Sequence, residues 1–261
     1  MKSRLAIILF WGGLLILNVS VMAQEGITAP SSAAKGINDI DQSGINVGLL
    51  GEVNGTFIIH QQTYGLTRLM LYSPSVKFSG GAYVGFNFEP NMGFEVGIRT
   101  CGGGQNYHDN YKNASYTKTV QLSYTQIPIM FKYLFGTSKM TYYGKAGVQM
   151  GFLNSSTMSI SNFHDGVNIV PDSILKYGQK NPNLTSLYES TDFGLRFEFG
   201  DDFMVSDNFY INAGVEAYLG LIDINTPALR QDYKFGGNDY PYRYSSNFII
   251  GIQVGCHYIL H

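Results

Sequence analysis

The sequence predicts an all-β protein: an eight-stranded antiparallel up-and-down transmembrane β-barrel. Long segments alternate apolar and polar residues with period two, as strands with one apolar environment do. The connections between these segments alternate between short and long. Charged residues make up only 14% of the chain, against about 25% in soluble domains. Many Tyr, Phe and Gly residues with few charges favour a wall that faces lipid.

The N-terminus has the features of a secretory signal peptide, which we predict over residues 1–23. Lys2 and Arg4 precede a short apolar stretch, and Val21-Met22-Ala23 supplies small residues for a signal peptidase. The apolar stretch is shorter than the roughly 20 residues that a spanning helix requires. Cleavage would therefore release an exported chain.

The remaining chain divides into two parts. Residues 24–43 are polar and rich in small side chains, which predicts a flexible periplasmic linker. Residues 44–261 carry the strand pattern and would form the outer-membrane β-barrel. The whole chain has 17 basic and 19 acidic residues, and the signal removes two of the basic ones. This acidic balance argues against a nucleic-acid partner, which requires a basic patch.

Eight segments have the alternation expected of barrel strands. The two clearest have an apolar residue at every second position, from Phe209 to Leu221 and from Phe248 to Leu260. The six earlier candidates lie near residues 45–59, 78–89, 92–103, 118–134, 139–153 and 187–200.

The fourth segment changes the phase of its apolar positions between Tyr124 and Ile127. One extra residue would restore the alternation. We therefore predict a β-bulge near Thr125–Gln126, with Pro128 tolerated beside it.

The connections predict how the barrel is oriented. Those after strands two, four and six are short, near residues 90–91, 136–138 and 201–207. Those after strands one, three, five and seven are longer, at residues 60–77, 104–117, 154–186 and 223–245. In bacterial outer-membrane barrels the short turns lie in the periplasm and the long loops outside.

Ionisable residues occupy the polar faces of most strands, and in a membrane barrel these faces line the lumen. A soluble barrel could instead turn them to water, so the charges alone do not decide. Glycines on the same faces favour the membrane form, because they leave room for large polar groups in a narrow bore. We expect acids and bases to neutralise one another there as a plug. The predicted lumen charge network consists of Glu52, Glu95, Arg99, Lys132, Lys145, Asp192, Arg196, Glu198 and Glu216.

Aromatic residues cluster at the ends of the apolar faces, as in the girdles of membrane barrels. The girdle predicted nearest the short turns consists of Phe88, Phe94, Tyr133, Tyr142, Phe199, Phe209 and Tyr258. The girdle predicted at the loop ends consists of Phe57, Phe78, Tyr124, Phe152 and Phe248.

One strand resembles a known family. The run Tyr124-Thr125-Gln126-Ile127-Pro128-Ile129-Met130-Phe131-Lys132-Tyr133 is similar to the Y-x-E/Q-I-P-L-L-x-K-Y strand of the PorT-like outer-membrane β-barrel family of Bacteroidetes. The Gly-rich strands, the long loops and the Ala23-Gln24 junction agree with it. The resemblance implies a barrel over residues 44–261 and, for one group of members, a role in protein secretion. It brings no set of functional residues.

Few residues suggest chemistry. The strand assignment places Cys101 in the lumen and Cys256 towards lipid at the other end, too far apart for a disulfide, which predicts two free thiols. Gly102-Gly103-Gly104 is predicted to be a hinge where a strand meets a loop. The five histidines lack metal-ligand spacing. We expect no cofactor and no enzyme activity.

Two alternative functions remain open from the sequence. A lipid-modifying enzyme could use the loop pairs His108-Asp109 and His164-Asp165, although no matched nucleophile accompanies them. A narrow solute channel could use the inner charges. Asp172-Ser173-Ile174 resembles a short O-glycosylation signal. The expected partners are outer-membrane lipid and an envelope or secretion protein.

Overall fold

The computed structural model describes residues 44–60, 70–111, 114–137, 140–164, 167–168, 187–227, 234–235, 238–239 and 244–260. The predicted signal peptide, the linker and the tripeptide Asp172-Ser173-Ile174 lie outside the described residues. Within the described ranges, no helix is long and apolar enough to cross a membrane.

Eight long antiparallel strands form a closed barrel. They are β1 (Gly44–Ile59), β2 (Ser75–Glu89), β3 (Met92–Tyr111), β4 (Ala114–Thr137), β5 (Met140–His164), β6 (Thr191–Ser206), β7 (Phe209–Gly220) and β8 (Ser246–Leu260). Each strand pairs with its neighbours in the chain, and β1 also pairs with β8, which closes the ring. The predicted fold class is confirmed.

Among the described residues, four short strands lie in the long connections. Leu71–Ser73 pairs with β3, and Val167–Asn168 pairs with the end of β5. Lys234–Phe235 and Asn238–Asp239 pair with each other within the last long connection.

The side chains alternate between the two faces of the wall as the sequence pattern predicts. From Ile249 to Leu260 in β8, buried and exposed residues alternate without interruption. The exposed residues on the outer face are large and apolar, for example Ile98 at 57% exposure and Ile252 at 64%. The buried residues inside are mainly polar, since they line the lumen.

Strands β3, β4 and β5 are longer than predicted. The segments 104–117 and 154–164, expected as loops, are largely strand, and β3 and β4 pair from Met92↔Tyr133 up to Tyr111↔Ala114. The sequence pattern does not show these extensions, because their outer positions are polar and their inner positions mix apolar residues such as Tyr107 and Met158 with polar ones such as Gln105 and Asp109.

The phase change in β4 has a different cause from the predicted bulge. Every second residue from Val120 to Leu134 is buried, so β4 runs through Thr125–Gln126 without an extra residue. The register shift lies between Ser123 and Tyr124, and the residue without a partner is Asn154 of β5. The bulge prediction at Thr125–Gln126 is therefore wrong.

Strands β4 and β5 invert their polarity at this level. Tyr124 is only 1% exposed and faces inward, so its assignment to the outer girdle is also wrong. Beyond it, the inner face packs in an apolar cluster, here called the apolar cap, which consists of Ile58, Met70, Tyr107, Val120, Leu122, Tyr124, Met158, Tyr188 and Ile224. The outer face, here called the polar extension, carries Thr117, Thr119, Gln121, Ser123, Thr125, Asn154, Ser155, Thr157 and Ser159. Apolar inside and polar outside is the arrangement of a protein in water, so these strands continue beyond the membrane.

The sixth strand is also displaced from its predicted range. It spans Thr191–Ser206 rather than 187–200, and a tight turn at residues 207–208 replaces the expected connection 201–207. Tyr188 instead forms an isolated bridge with Asn225 over the loop end of the lumen. The polar alternation of Glu198, Gly200 and Asp202 signals this longer strand in the sequence.

Candidate functional site in the barrel lumen

The structure places all nine residues of the predicted lumen charge network inside the barrel. None of the nine is more than 8% exposed. Eight of them lie in one connected group, and Asp192 lies apart from it, nearer the loop end.

Two arginines and two glutamates form the centre of this group. Arg99 Nη1 donates to Glu52 Oε1 at 2.6 Å and to Glu216 Oε2 at 3.0 Å. Arg196 Nη2 donates to Glu52 Oε1 at 3.1 Å and also to Glu216. Each arginine thus bridges both glutamates. We call this arrangement the four-charge ring.

The four-charge ring joins four strands, of which only β6 and β7 are neighbours. Glu52 comes from β1, Arg99 from β3, Arg196 from β6 and Glu216 from β7. The bulk of Arg99 is accommodated by a glycine on β2, since a Cβ atom at Gly81 would lie 2.6 Å from Arg99 Cβ. Glycine opposite a large inward side chain lets the bore hold the ring.

A chain of ion pairs continues from the ring towards the turn end. Arg196 Nε donates to Glu198 Oε1 at 2.7 Å. Lys145 Nζ lies 3.4 Å from Glu198 Oε2 and donates to Glu95 Oε2 at 2.5 Å. Because neighbouring charges alternate in sign, each buried ion has a partner, which offsets the penalty for its removal from water.

The chain ends at a residue that the sequence reasoning missed. Lys132 Nζ lies 3.9 Å from Glu95 and donates to Asp202 Oδ2 at 2.9 Å. It also lies 5.0 Å from the centre of the Tyr210 ring. Asp202 had been assigned to a turn, although its place in the alternation after Glu198 and Gly200 would have identified it.

Asp192 has neutral partners instead of a cation. It accepts a hydrogen bond of 2.8 Å from Asn247 Nδ2, and the same amide donates to the Tyr124 hydroxyl at 3.2 Å. These residues lie between the four-charge ring and the apolar cap.

Aromatic and imidazole rings occupy the lumen near the turn end. His257 stacks on Tyr210 with ring centroids 4.1 Å apart, and its Nδ1 lies 2.7 Å from the Tyr83 hydroxyl. His257 is 1% exposed. The rings fill the bore next to Asp202 and Lys132.

The loop end of the lumen is closed by the apolar cap and by backbone that crosses it. The Thr56 hydroxyl donates to the Gly104 carbonyl at 3.0 Å, and the Ile58 amide donates to Gln105 Oε1 at 2.6 Å. Gly104 has φ of +123°, a conformation that favours glycine. The predicted hinge at Gly102-Gly103-Gly104 is therefore part of β3, at a point where the strand bends over the bore.

The residues considered for chemistry are dispersed. His108 and Asp109, expected on a loop, lie in β3, with Asp109 buried and His108 half-buried on the opposite face. Cys101 and Cys256 are free thiols, the first buried and the second exposed. Among the residues that the structure describes, no group of three His, Cys, Asp or Glu could hold a metal ion.

The seven predicted girdle residues at the turn end all lie on the outer face. Two aromatic residues that the sequence reasoning left out connect them. Phe131 contacts Phe94 with centroids 5.4 Å apart, and Phe135 lies 5.8 Å from Tyr142 and 5.9 Å from Phe199. The aromatic side chains thus form contacting groups along the rim.

The strand pattern, the closed ring and the outward apolar belt agree with a sequence comparison. The family model of the outer membrane protein beta-barrel domain matches residues 22–225 of the 261. The chain belongs to this family. As an outer membrane beta-barrel protein, it is located in the outer membrane, with its apolar belt in the bilayer.

Solved structures of similar shape are outer-membrane proteins of low sequence identity. OprG from Pseudomonas aeruginosa is 14% identical, with 84% of this chain and 97% of that chain covered and a TM-score of 0.42. Neisserial surface protein A is 13% identical, with 84% and 98% covered and a TM-score of 0.42. Ail, the attachment invasion locus protein of Yersinia pestis, solved with the heparin analogue sucrose octasulfate, is 7% identical, with 82% and 99% covered and a TM-score of 0.35. No curated protein sequence matches this chain.

Removal of one arginine from the four-charge ring should strongly destabilise the barrel. Arg196→Gln leaves Glu52, Glu216 and Glu198 with less compensation in a buried site. We expect a loss of about 3–5 kcal/mol in the free energy of unfolding, measured by denaturant titration in lipid vesicles. Lys77→Gln, a change at a half-buried lysine outside the ring, should change it by less than about 0.5 kcal/mol. Equal effects of the two changes would contradict the ring's structural role.

Proposed function

We propose that this protein is a non-catalytic, non-conducting outer-membrane barrel that acts through its outward surfaces, in an envelope or secretion-accessory role. The observation that carries the proposal is the filled lumen. Paired charges occupy its middle, rings occupy its turn end and the apolar cap closes its loop end. A bore filled in this way leaves the surfaces outside the membrane to carry the function.

The proposed orientation has the short turns in the periplasm and the long connections outside. Pro90 and Asn91 form a tight turn between β2 and β3, and residues 207–208 form another between β6 and β7. The polar extension and the apolar cap lie at the opposite end. Outer-membrane barrels have their short turns on the periplasmic side, which supports this orientation.

The polar extension is the surface that we assign to a partner. Its nine outward residues carry hydroxyl or amide groups, and none is charged. Protein interfaces are depleted of charged residues at their centre, because a covered charge loses its hydration. The similarity of the β4 sequence to PorT-like barrels supports a secretion or envelope-assembly partner as the specific form of this role.

Two other functions fit the lumen less well. A channel would need a continuous polar path, whereas Val120 and Leu122 of the apolar cap are 0% and 2% exposed and lie across the bore. A lipid-modifying enzyme would need a nucleophile beside a base, and His108 and Asp109 point to opposite faces of β3. The plug and interaction roles account for the buried groups without either activity.

Conductance distinguishes the plugged barrel from a channel. We expect purified protein in planar bilayers to carry no steady current, since the apolar cap excludes hydrated ions. Simultaneous replacement of Val120 and Leu122 by Gly should also give no steady current, because the ion pairs and the rings still fill the rest of the bore. A steady current from the unaltered protein would contradict the non-conducting proposal.

Crosslinking in intact cells tests the partner role. A photoreactive amino acid at Ser159, on the polar extension, should capture one envelope protein that mass spectrometry identifies. The same group at Val148, on the lipid-facing part of β5, should capture lipid and no protein. If Ser159 and several further extension positions capture no protein while the barrel is correctly inserted, the interaction role is wrong.

A further inference from the structure

We propose that a groove on the outer wall, on the turn side of the barrel and across β7, β8, β1, β2 and β3, binds one acyl chain of a phospholipid. The groove encloses about 550 Å³. The assignment to a phospholipid of the periplasmic leaflet rests on the orientation given under the proposed function. The binding of an acyl chain in the groove does not depend on that orientation.

The depth of the groove comes from two short outward side chains. Cys256, Leu49, Ala82 and Ile98 occupy one register row across β8, β1, β2 and β3. Leu49 is 62% and Ile98 57% exposed. Ala82 lies between these two projecting side chains and forms the floor of the groove. A larger residue at this position would fill the groove.

The next row towards the turns continues the groove. Tyr258, Val47, Val84 and Val96 are paired in register, and all are outward and apolar or aromatic. Phe209 lines the end of the groove beside Tyr258. The groove therefore extends over four strand spacings, roughly 19 Å, from the turn-side girdle towards the middle of the belt.

The position of the groove determines the chemistry of its occupant. It lies within the apolar belt that contacts hydrocarbon, where water cannot fill a depression at acceptable free energy. An empty depression would lose dispersion contacts over its whole lining. A flexible acyl chain can follow the floor, whereas a flat strand face of another protein would leave the floor uncovered.

The lining also orients the lipid. Apart from Tyr258, the outward side chains of the lining are aliphatic, phenyl or thiol groups, which offer no strong partner to a headgroup. The Tyr258 hydroxyl lies at the end nearest the turns, where tyrosine side chains commonly reach the headgroup level. The acyl chain of the lipid therefore enters the groove from the turn-side interface, and its terminal methyl group points towards Ile98.

Native mass spectrometry of the detergent-extracted protein tests the groove. With added phosphatidylethanolamine, the unaltered protein should retain one lipid per barrel. Ala82→Phe fills the floor and should reduce the retained fraction on the order of tenfold. Ala217→Phe is the matched control, because Ala217 is also outward and half-buried but lies on β7 away from the groove. Equal retention by the protein and by Ala82→Phe, or equal loss in both variants, overturns the proposal.

Photoreactive lipids test the occupant and its source. Phosphatidylethanolamine with a photoreactive acyl chain should crosslink to residues 47–49, 82–84 and 96–98 more than to the outer faces of β4 and β5. Uniform labelling around the barrel overturns the groove site. Preferential labelling by lipopolysaccharide with a photoreactive chain overturns the phospholipid assignment and contradicts the proposed orientation. The lipid readouts with phosphatidylethanolamine do not depend on whether the protein conducts or has a protein partner, so the two proposals can fail separately.

Discussion

Ionised side chains cannot remain in hydrocarbon without partners, and this constraint shapes the barrel. Glu52, Arg99, Arg196 and Glu216 are fully enclosed by the wall, and each contacts charges of opposite sign from distant strands. Only a closed wall provides such a site, because an open sheet edge would also expose unpaired backbone groups to lipid. Closure of β1 on β8 is therefore a condition for the whole charged interior.

The same constraint explains why the wall changes its polarity along the strands. Where the outside is lipid, as at Ile129 and Phe131 of β4, the inside holds Gln126 and Lys132 beside the apolar Met130. Where the outside is water, as at Gln121, the inside holds Val120 and Leu122 of the apolar cap. Within one continuous strand, the apolar face is therefore the outer one in the bilayer and the inner one in water. The cap also seals the charged interior from the loop side.

Much of the fold could be predicted because period-two alternation and loop lengths are local features. The burial of the nine charged residues follows from the same alternation once the apolar face is assigned to lipid. The apolar cap was not predicted, since its members come from β1, β3, β4, β5 and three connections and meet only in three dimensions. The sequence does show that the apolar positions of β4 shift from even to odd residues after Tyr124. However, a β-bulge and a change from water to lipid outside the strand produce the same pattern.

The ion pairs and the register between strands could not be predicted from the sequence, for a related reason. Nothing local indicates that Arg196 contacts Glu52, 144 positions away. Asp is common in turns, and this propensity favours a turn at Asp202, whereas the alternation through Gly200 indicates a strand. The extra residue at Asn154 lies in the strand beside the one that showed the anomaly. Register between strands therefore has to be observed.

Two environments meet along the outward, odd-numbered residues of β4. From Ile127 to Tyr133, on the turn side of Thr125, these residues face lipid. From Thr117 to Ser123, on the loop side, they face water. Spin labels placed one at a time from residue 119 to 133, in a background without Cys101 and Cys256, test this arrangement most directly by electron paramagnetic resonance in vesicles. Labels at Ile127, Ile129 and Phe131 should be accessible to oxygen dissolved in the bilayer. Labels at Thr119, Gln121 and Ser123 should be accessible to a water-soluble relaxation agent, and labels at even positions to neither. Oxygen accessibility at Leu122 and Tyr124 would contradict the account.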